Sequence, residues 1–534
     1  MNQAEAKRRQ IQVISYIFAW IILAIIAKLT GYSGVTYVAA GLEVYAIIFI
    51  LVSGGVADAL GRVLRLRISK GQYKNASAMR KNVLLFQIVL GAAGTAVAVM
   101  AAGGIAEGLF QIQYSTVIIM ILAPAIVLRT ISAVLQGFAG GEGAELPGAA
   151  VSILRQVFIL GFSLIFCNML TGYGKKVSNL LAKEEFTSMY GGVGVAIAVT
   201  LSEVFSVIFL TIICRGKKRN SEKAPQDGTR NVVSFADSVR ILFANRGAQT
   251  GILLLAMLFL PLGLIFLQKA MGGSGDTAVE YGVYVAGYGV VCGCIVAFTT
   301  FMTMPIGVKA MGLIRREEHR FARMVFQRGV HLNIIHTVFF TMFFTVLSKQ
   351  TAEVICGENA ETAAKMLRGG ASVILFAGLS FYFARMLILT GKKYLVMGAL
   401  AVADVVYTIA VAVLLNTGKA GVLALVYGGL MGGAVLCMIL GTFAYRQMRQ
   451  QMDWLQVLII PLAVACIAGI LNMLLGKVLT PHLGNLFTLL VCLILSGALY
   501  WAGLLLLRNF REQELEVIPG GKWINSLGQM LHVM

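Results

Sequence analysis

Fourteen apolar stretches, each long enough to cross a lipid bilayer, run through this 534-residue chain. A bilayer-spanning helix needs about 20 mostly apolar residues, and hydrophobic residues make up 58% of the chain against 13% for charged residues. Because one water-soluble core cannot bury that much apolar surface, lipid must cover a large part of it. The sequence therefore predicts an all-α integral membrane protein. The predicted spans lie near 11–28, 34–57, 82–102, 115–137, 148–170, 190–213, 244–268, 279–305, 329–348, 367–389, 394–415, 419–443, 455–475 and 486–507.

Basic residues gather in every second loop, and this pattern sets the orientation. Of the 44 Lys and Arg residues, 32 lie in the two terminal segments or in alternate loops. Because cytoplasmic loops carry the excess of Lys and Arg, we expect both termini in the cytoplasm and an even number of spans. The net charge of +20 then reports topology and attraction to anionic membrane lipids, and no nucleic-acid partner is needed to explain it.

A weak internal repeat indicates two lobes. The basic segment 55–81 resembles 307–328, and Gly137 and Gly391 each close a later span, 82 and 84 residues after the respective segment begins. Two such lobes in the same orientation predict a central cavity between them. We therefore expect the following organisation: a six-helix lobe at 1–213, a basic cytoplasmic linker at 214–243, a second six-helix lobe at 244–443, two additional spans within 444–507, and a cytoplasmic tail at 508–534.

The chain resembles the multidrug/oligosaccharidyl-lipid/polysaccharide (MOP) exporter superfamily, and within it the fourteen-span lipid II flippases and sporulation protein B-like polysaccharide transporters. The resemblance rests on the twin lobes, the basic loop from Gly61-Arg62 to Lys81, the ending Leu135-Gln136-Gly137, and Pro147 before a span with Arg155-Gln156. It implies alternating access, a polyprenyl-diphosphate-linked sugar as cargo, and a bacterial plasma membrane. It also implies that the two last spans help to form a groove for the lipid tail.

Ionisable residues inside spans are the first candidates for cargo or ion handling, because a charge in lipid is costly unless it is paired or wet. Lys28 ends the first span and is a candidate for binding the diphosphate, although it could equally snorkel to the interface. Glu43 lies well inside the second span and could pair with a cavity cation or bind a coupling ion. Lys269 and Glu280 flank the turn that joins spans seven and eight and are further candidates for lining the cavity. Three tyrosines follow at helical spacing, as a sugar-facing stripe or as an interfacial belt: Tyr281, Tyr284 and Tyr288.

Other polar and helix-bending positions give further candidates. Asp404 is a second ion-coupling candidate that could instead pair with Arg385, and Arg129 and Arg385 are interpreted as interfacial anchors near cytoplasmic span ends. Pro261 and Gly263 are candidate hinge residues, since proline frees a helical carbonyl; a static kink would account for them as well.

The functional prediction also depends on a departure from the lipid II flippase pattern and on the absence of catalytic motifs. In the lipid II flippases, basic residues line the cavity from spans one, two and eight, whereas here only Lys28 offers a match. The five histidines form no recognisable catalytic pair with an acid, and no phosphate-gripping Gly-Lys-Ser/Thr loop is present. We predict no enzymatic activity, no cofactor, no metal site and no obligate protein partner.

The predicted function is a flippase for lipid-linked oligosaccharides in cell-envelope synthesis, with H+ or Na+ as candidate coupling ions. The alternative is a cation-coupled multidrug or metabolite antiporter of the same superfamily, in which Glu43 and Asp404 would bind the cation.

Overall fold

The fold is all-α, as the sequence predicts. The computed structural model describes residues 3–221, 231–272, 275–418, 420–449, 454–507 and 509, and these residues contain no β-strand. Two compact units divide the chain, one ending at Gly282 and the other beginning at Val283.

The first unit holds eight helices among its described residues. They are α1 (Gln3–Ser53), α2 (Val56–Ser69), α3 (Tyr73–Gly103), α4 (Ser115–Gly141), α5 (Glu145–Leu181), α6 (Glu185–Ser221), α7 (Phe235–Met271) and α8 (Gly275–Val283).

The described part of the second unit also holds eight. They are α9 (Gly289–Arg315), α10 (His319–Val346), α11 (Ser348–Cys356), α12 (Ala360–Gly370), α13 (Val373–Leu389), α14 (Lys393–Asn416), α15 (Leu423–Met448) and α16 (Ile460–Leu506). Short π-helical segments at Tyr284–Tyr288 and Leu455–Ile459 precede α9 and α16.

Within the described residues, eleven helices are long and apolar enough to cross a membrane, or twelve when the bent pair Ser348–Gly370 and Val373–Leu389 counts as one span. Two of these long helices are interrupted, α1 at Gly31 (φ 75°, ψ 165°) and α16 at Gly484 (φ 73°, ψ 168°). Each half has more than 20 residues, enough to cross a bilayer by itself. Counting the halves separately brings twelve spans to fourteen, the number expected from the sequence.

The basic segment after α1 folds as an amphipathic elbow. Gly55 turns the chain in the left-handed region (φ 72°), and α2 then buries Val56, Leu60 and Leu64 on one face. That face packs on the end of α4, where a Cβ at Gly137 would lie 3.1 Å from the Ala57 carbonyl oxygen. The last position of Leu135-Gln136-Gly137 therefore favours glycine, because α2 crosses α4 there and a side chain would press against it.

The corresponding segment 307–328 is built differently. α9 continues without a break to Arg315, and Gly307 has no positive φ to redirect the chain. The two basic segments that look alike in sequence thus differ in their backbone, because only the first has a glycine turn.

Helix α7 begins at Phe235, within the range interpreted as linker, and Ser234 caps it by accepting a hydrogen bond from the Asp237 backbone N–H at 3.1 Å. Arg246 then donates to the Val52 carbonyl oxygen at 2.6 Å, and Thr250 donates to that of Gly54 at 2.7 Å. These bonds hold α7 against the end of α1. Apart from residue 509, the predicted tail 508–534 lies outside the described residues.

Candidate functional site

A buried carboxylate joins two of the residues selected from the sequence. Glu43, in the second half of α1, is 4% exposed, and the Tyr281 hydroxyl of α8 lies 2.8 Å from its Oε1. The same hydroxyl lies 3.3 Å from the Leu260 carbonyl oxygen on α7. The second carboxyl oxygen, Oε2 of Glu43, is buried and has no hydrogen-bond partner among the described residues.

Close backbone packing brings the two side chains together. Thr36 on α1 donates to the Ala278 carbonyl oxygen at 2.5 Å, and a Cβ at Gly282 would lie 1.9 Å from the Tyr32 carbonyl oxygen. Because Gly282 has no side chain, α8 can approach the α1 backbone directly. Tyr281, the residue before it, is thereby held over Glu43.

In this geometry, only one of the two Glu43 carboxyl oxygens has a hydrogen-bond partner among the described residues. Burying an ionised carboxylate with one oxygen that lacks a partner costs free energy. Such a group therefore binds a proton, a cation or water molecules. A single carboxylate whose neighbour is a neutral phenol can exchange such a ligand without breaking an ion pair. Glu43 can therefore serve as a proton- or cation-binding group inside the membrane.

A second buried cluster lies in the same unit and joins helices α1, α4, α5 and α6. Glu203 on α6 is 2% exposed and accepts from Arg129 on α4 at 3.1 Å through Oε1. The same oxygen lies 2.8 Å from Nε of Arg155 on α5 and 3.4 Å from the Tyr45 hydroxyl. Arg129 also lies over the Phe49 ring, 5.5 Å from its centroid. Arg129, which the sequence analysis interprets as an interfacial anchor, thus forms an ion pair with a buried acid.

The remaining candidates of the first unit differ in their exposure. Lys28, three residues before the Gly31 break, and Lys269, near the end of α7, are exposed, and Glu280 is half-buried. Pro261 and Gly263 are buried in α7, which remains one helix across them.

In the second unit, Tyr284 and Tyr288 are buried and stacked, with ring centroids 5.7 Å apart. The Tyr288 hydroxyl donates to the Gly370 carbonyl oxygen at 2.9 Å. Asp404 is half-buried, with its Oδ2 lacking a hydrogen-bond partner among the described residues.

Sequence reasoning missed the role of Arg155 and the convergence on Glu203. Arg155 was noted only as part of a motif, and Glu203 only as one acid among several. The three residues lie on different helices, and Arg155 and Arg129 precede Glu203 by 48 and 74 positions in the chain. The available signal was the presence of three ionisable residues at similar depth in three neighbouring spans. Among the described residues, no group of three His, Cys, Asp or Glu side chains could hold a metal ion.

No protein-family model matches the sequence, and no curated protein matches it. Solved structures do match its fold. The inward-facing conformation of a multidrug resistance MATE family transporter of the MOP superfamily aligns with a TM-score of 0.58 at 13% identity, covering 84% of this chain and 98% of that one. The outward-facing conformation of such a transporter aligns with a TM-score of 0.59 at 14% identity, covering 84% and 95%.

A MOP superfamily transporter from Pyrococcus furiosus, described as having a binding pocket of reversed polarity, aligns with a TM-score of 0.56 at 13% identity, covering 84% and 95%. At these identities the similarity establishes the fold. The chain is a multi-pass membrane protein with the helical fold of the MATE transporters of the MOP superfamily.

Proposed function

We propose that this protein is an alternating-access transporter that moves lipid-linked oligosaccharides, carried on a polyprenyl diphosphate, across the bacterial plasma membrane. The observation that carries the transport assignment is Glu43, a buried carboxylate with one bare oxygen inside a fold shared with transporters. A proton or Na+ on that oxygen would couple the ion gradient to movement of the lobes around the predicted cavity.

The choice of a lipid-linked cargo is supported by chain length. Solved neighbours align over 95% or more of their own length but over only 84% of this chain, so about a sixth of it has no counterpart. That excess agrees with two further spans and a tail, and α16 divides at Gly484 into two bilayer-length halves. In the resemblance drawn from the sequence, such spans accompany a lipid tail.

The test is transbilayer movement of a fluorescent polyprenyl-diphosphate disaccharide in liposomes containing the purified protein, with and without a proton or sodium gradient. We expect protein-dependent movement that a gradient accelerates. Glu43→Gln should reduce the rate at least about tenfold while protein abundance stays nearly unchanged, because the amide cannot exchange a proton or neutralise a cation.

Tyr281→Phe and Glu361→Gln refine the test. The tyrosine variant removes only the hydroxyl that holds Glu43, so we expect a smaller loss of rate. Glu361 is a solvent-exposed carboxylate on α12, and its replacement should leave transport unchanged. If Glu43→Gln lowered abundance as much as transport, Glu43 would be a structural group instead.

The second candidate is a cation-coupled multidrug or metabolite antiporter. Neighbours described as multidrug resistance transporters favour it, as does the half-buried Asp404 of the second unit, which is a second membrane acid in addition to Glu43. Ion-driven export of cationic dyes from the same liposomes, without movement of the lipid-linked disaccharide, would establish this function in place of the first.

A further inference from the structure

The cluster around Glu203 carries more positive than negative charge. Two guanidinium groups, those of Arg129 and Arg155, share one oxygen of one carboxylate, leaving an excess of one positive charge. All three residues lie on helices long and apolar enough to cross the membrane. An uncompensated charge at that depth is costly, so the cluster favours an anionic partner.

Unused hydrogen-bond donors accompany this charge. The Arg155 side chain is only 7% exposed, and its Nη2 is buried with no hydrogen-bond partner in the described residues. Arg129 uses Nη1 on Glu203, while its side chain remains 28% exposed. A guanidinium has five N–H donors in a planar fork, so both arginines retain the capacity to bind a second oxyanion.

The approach to Arg129 is aromatic. The Phe49 ring covers one face of its guanidinium, Tyr45 stacks on Phe49 with centroids 6.4 Å apart, and both rings are partly exposed. Charged donors beside exposed aromatic surface suit an amphiphilic anion better than a fully hydrated one.

We propose that Arg129 and Arg155 form a binding site for a phosphate-type oxyanion, which would compete with the Glu203 carboxylate for the two guanidinium groups. Planar guanidinium forks match phosphate oxygens bidentately, which a single ammonium cannot do. That the phosphate belongs to the transported cargo rests on the function proposed above. The site itself depends only on the charge, the free donors and the aromatic approach.

If the cluster were only structural, the effect of Glu203→Gln on ligand binding would be opposite to the effect expected for an oxyanion site. In a structural cluster, Glu203→Gln removes the carboxylate that both arginines contact, so it should destabilise the cluster and weaken ligand binding. In an oxyanion site it removes the group that competes with the ligand, and the net charge rises from one to two. Binding should then tighten at least about fivefold, because like-charge repulsion at short range is relieved.

The experiment measures binding of farnesyl diphosphate, and separately of inorganic diphosphate, to the full-length protein in phosphatidylcholine nanodiscs. We expect Arg129→Gln to weaken farnesyl diphosphate about tenfold or more and Glu203→Gln to tighten it. Arg155→Lys, which keeps the charge but loses the fork, should weaken it less than Arg129→Gln. Arg385→Gln, at a span arginine of the second unit, is the matched control and should change affinity less than about twofold.

Three results separate the outcomes. Unchanged affinity in Arg129→Gln, or weaker binding in Glu203→Gln with folded protein, overturns the site even if liposome transport succeeds. Loss of binding in Arg129→Gln without any lipid-linked sugar transport by the parent protein supports the site and removes its link to that cargo. Binding of inorganic diphosphate that phosphatidylglycerol in the nanodisc displaces, with no farnesyl diphosphate binding, supports an oxyanion site that takes a lipid headgroup instead.

Discussion

At the scale of single residues, Gly282 sets the distance between α8 and α1. A Cβ there would lie 1.9 Å from the Tyr32 carbonyl oxygen, and backbone cannot move aside as a side chain can. Gly282→Ala should therefore lower the free energy of unfolding by about 2 kcal/mol, as overpacking does. It should also reduce transport, because Tyr281 moves away from Glu43. Thermal unfolding in detergent and the liposome assay measure the two effects.

Gly161→Ala provides the control for that substitution. Gly161 is an exposed helical position on α5 with nothing within 4 Å of an added Cβ. Alanine is the better helix former, so stability should stay equal or rise slightly. Equal stability of the Gly282→Ala and Gly161→Ala variants would contradict the close approach of α8 to α1.

The residues of the candidate site could be selected from the sequence, but their pairing could not. Glu43 stood out because an acid interrupts an apolar span, and Tyr281 because it belongs to a tyrosine stripe. Their contact joins positions 238 residues apart. Neither span pattern encodes which helices pack together, so the sequence could not connect them. The Arg129, Arg155 and Glu203 cluster escaped notice for the same reason.

At the scale of helices, two glycines divide long helices into separate spans. Gly31 and Gly484 both combine a φ near 75° with an extended ψ, a region that is essentially restricted to glycine. Gly484→Ala should cost about 1 to 3 kcal/mol, because its added Cβ meets nothing within 4 Å and only backbone strain remains. Gly31→Ala should cost a similar amount. Thermal unfolding of each purified variant is the measurement.

Gly172→Ala is the helical counterpart on α5, also with open space around an added Cβ. A melting temperature unchanged in Gly484→Ala, like that expected for Gly172→Ala, would mean that the chain does not reverse at Gly484. The fourteen-span interpretation would then lose its C-terminal pair.

Helices could be predicted from the sequence where an apolar run is long enough to cross a bilayer. Helices without such a run were not predicted. The predicted spans 115–137 and 329–348 fall inside α4 and largely inside α10, because a bilayer-length apolar run leaves no alternative fold. The helices α11 and α12 were missed. They are short and carry charges such as Lys349 and Glu361, so no apolar window reveals them.

At the scale of the whole molecule, α16 is joined to α10 by buried polar and aromatic contacts. Tyr500 donates to the Ile335 carbonyl oxygen at 3.0 Å and packs on Phe339, and Trp501 meets His336 edge to face. The C-terminal pair of spans is thus an integral layer of the second unit. It carries a broad exposed apolar surface on its second half, including Leu486, Phe487 and Ile494.

That exposed surface is where a lipid tail would lie if the cargo is carried on a long polyprenol. Deleting residues 454–534 should abolish flipping of an undecaprenyl-linked disaccharide while a farnesyl-linked one still moves, because only the long chain needs the additional apolar surface. The deletion uncovers Phe339 on α10, so rates are compared at equal amounts of folded protein, measured by size-exclusion fluorescence. Undecaprenyl flipping at the full-length rate would remove the tail groove from this protein, whereas equal loss for both lipids would show that α16 serves the second unit's stability alone.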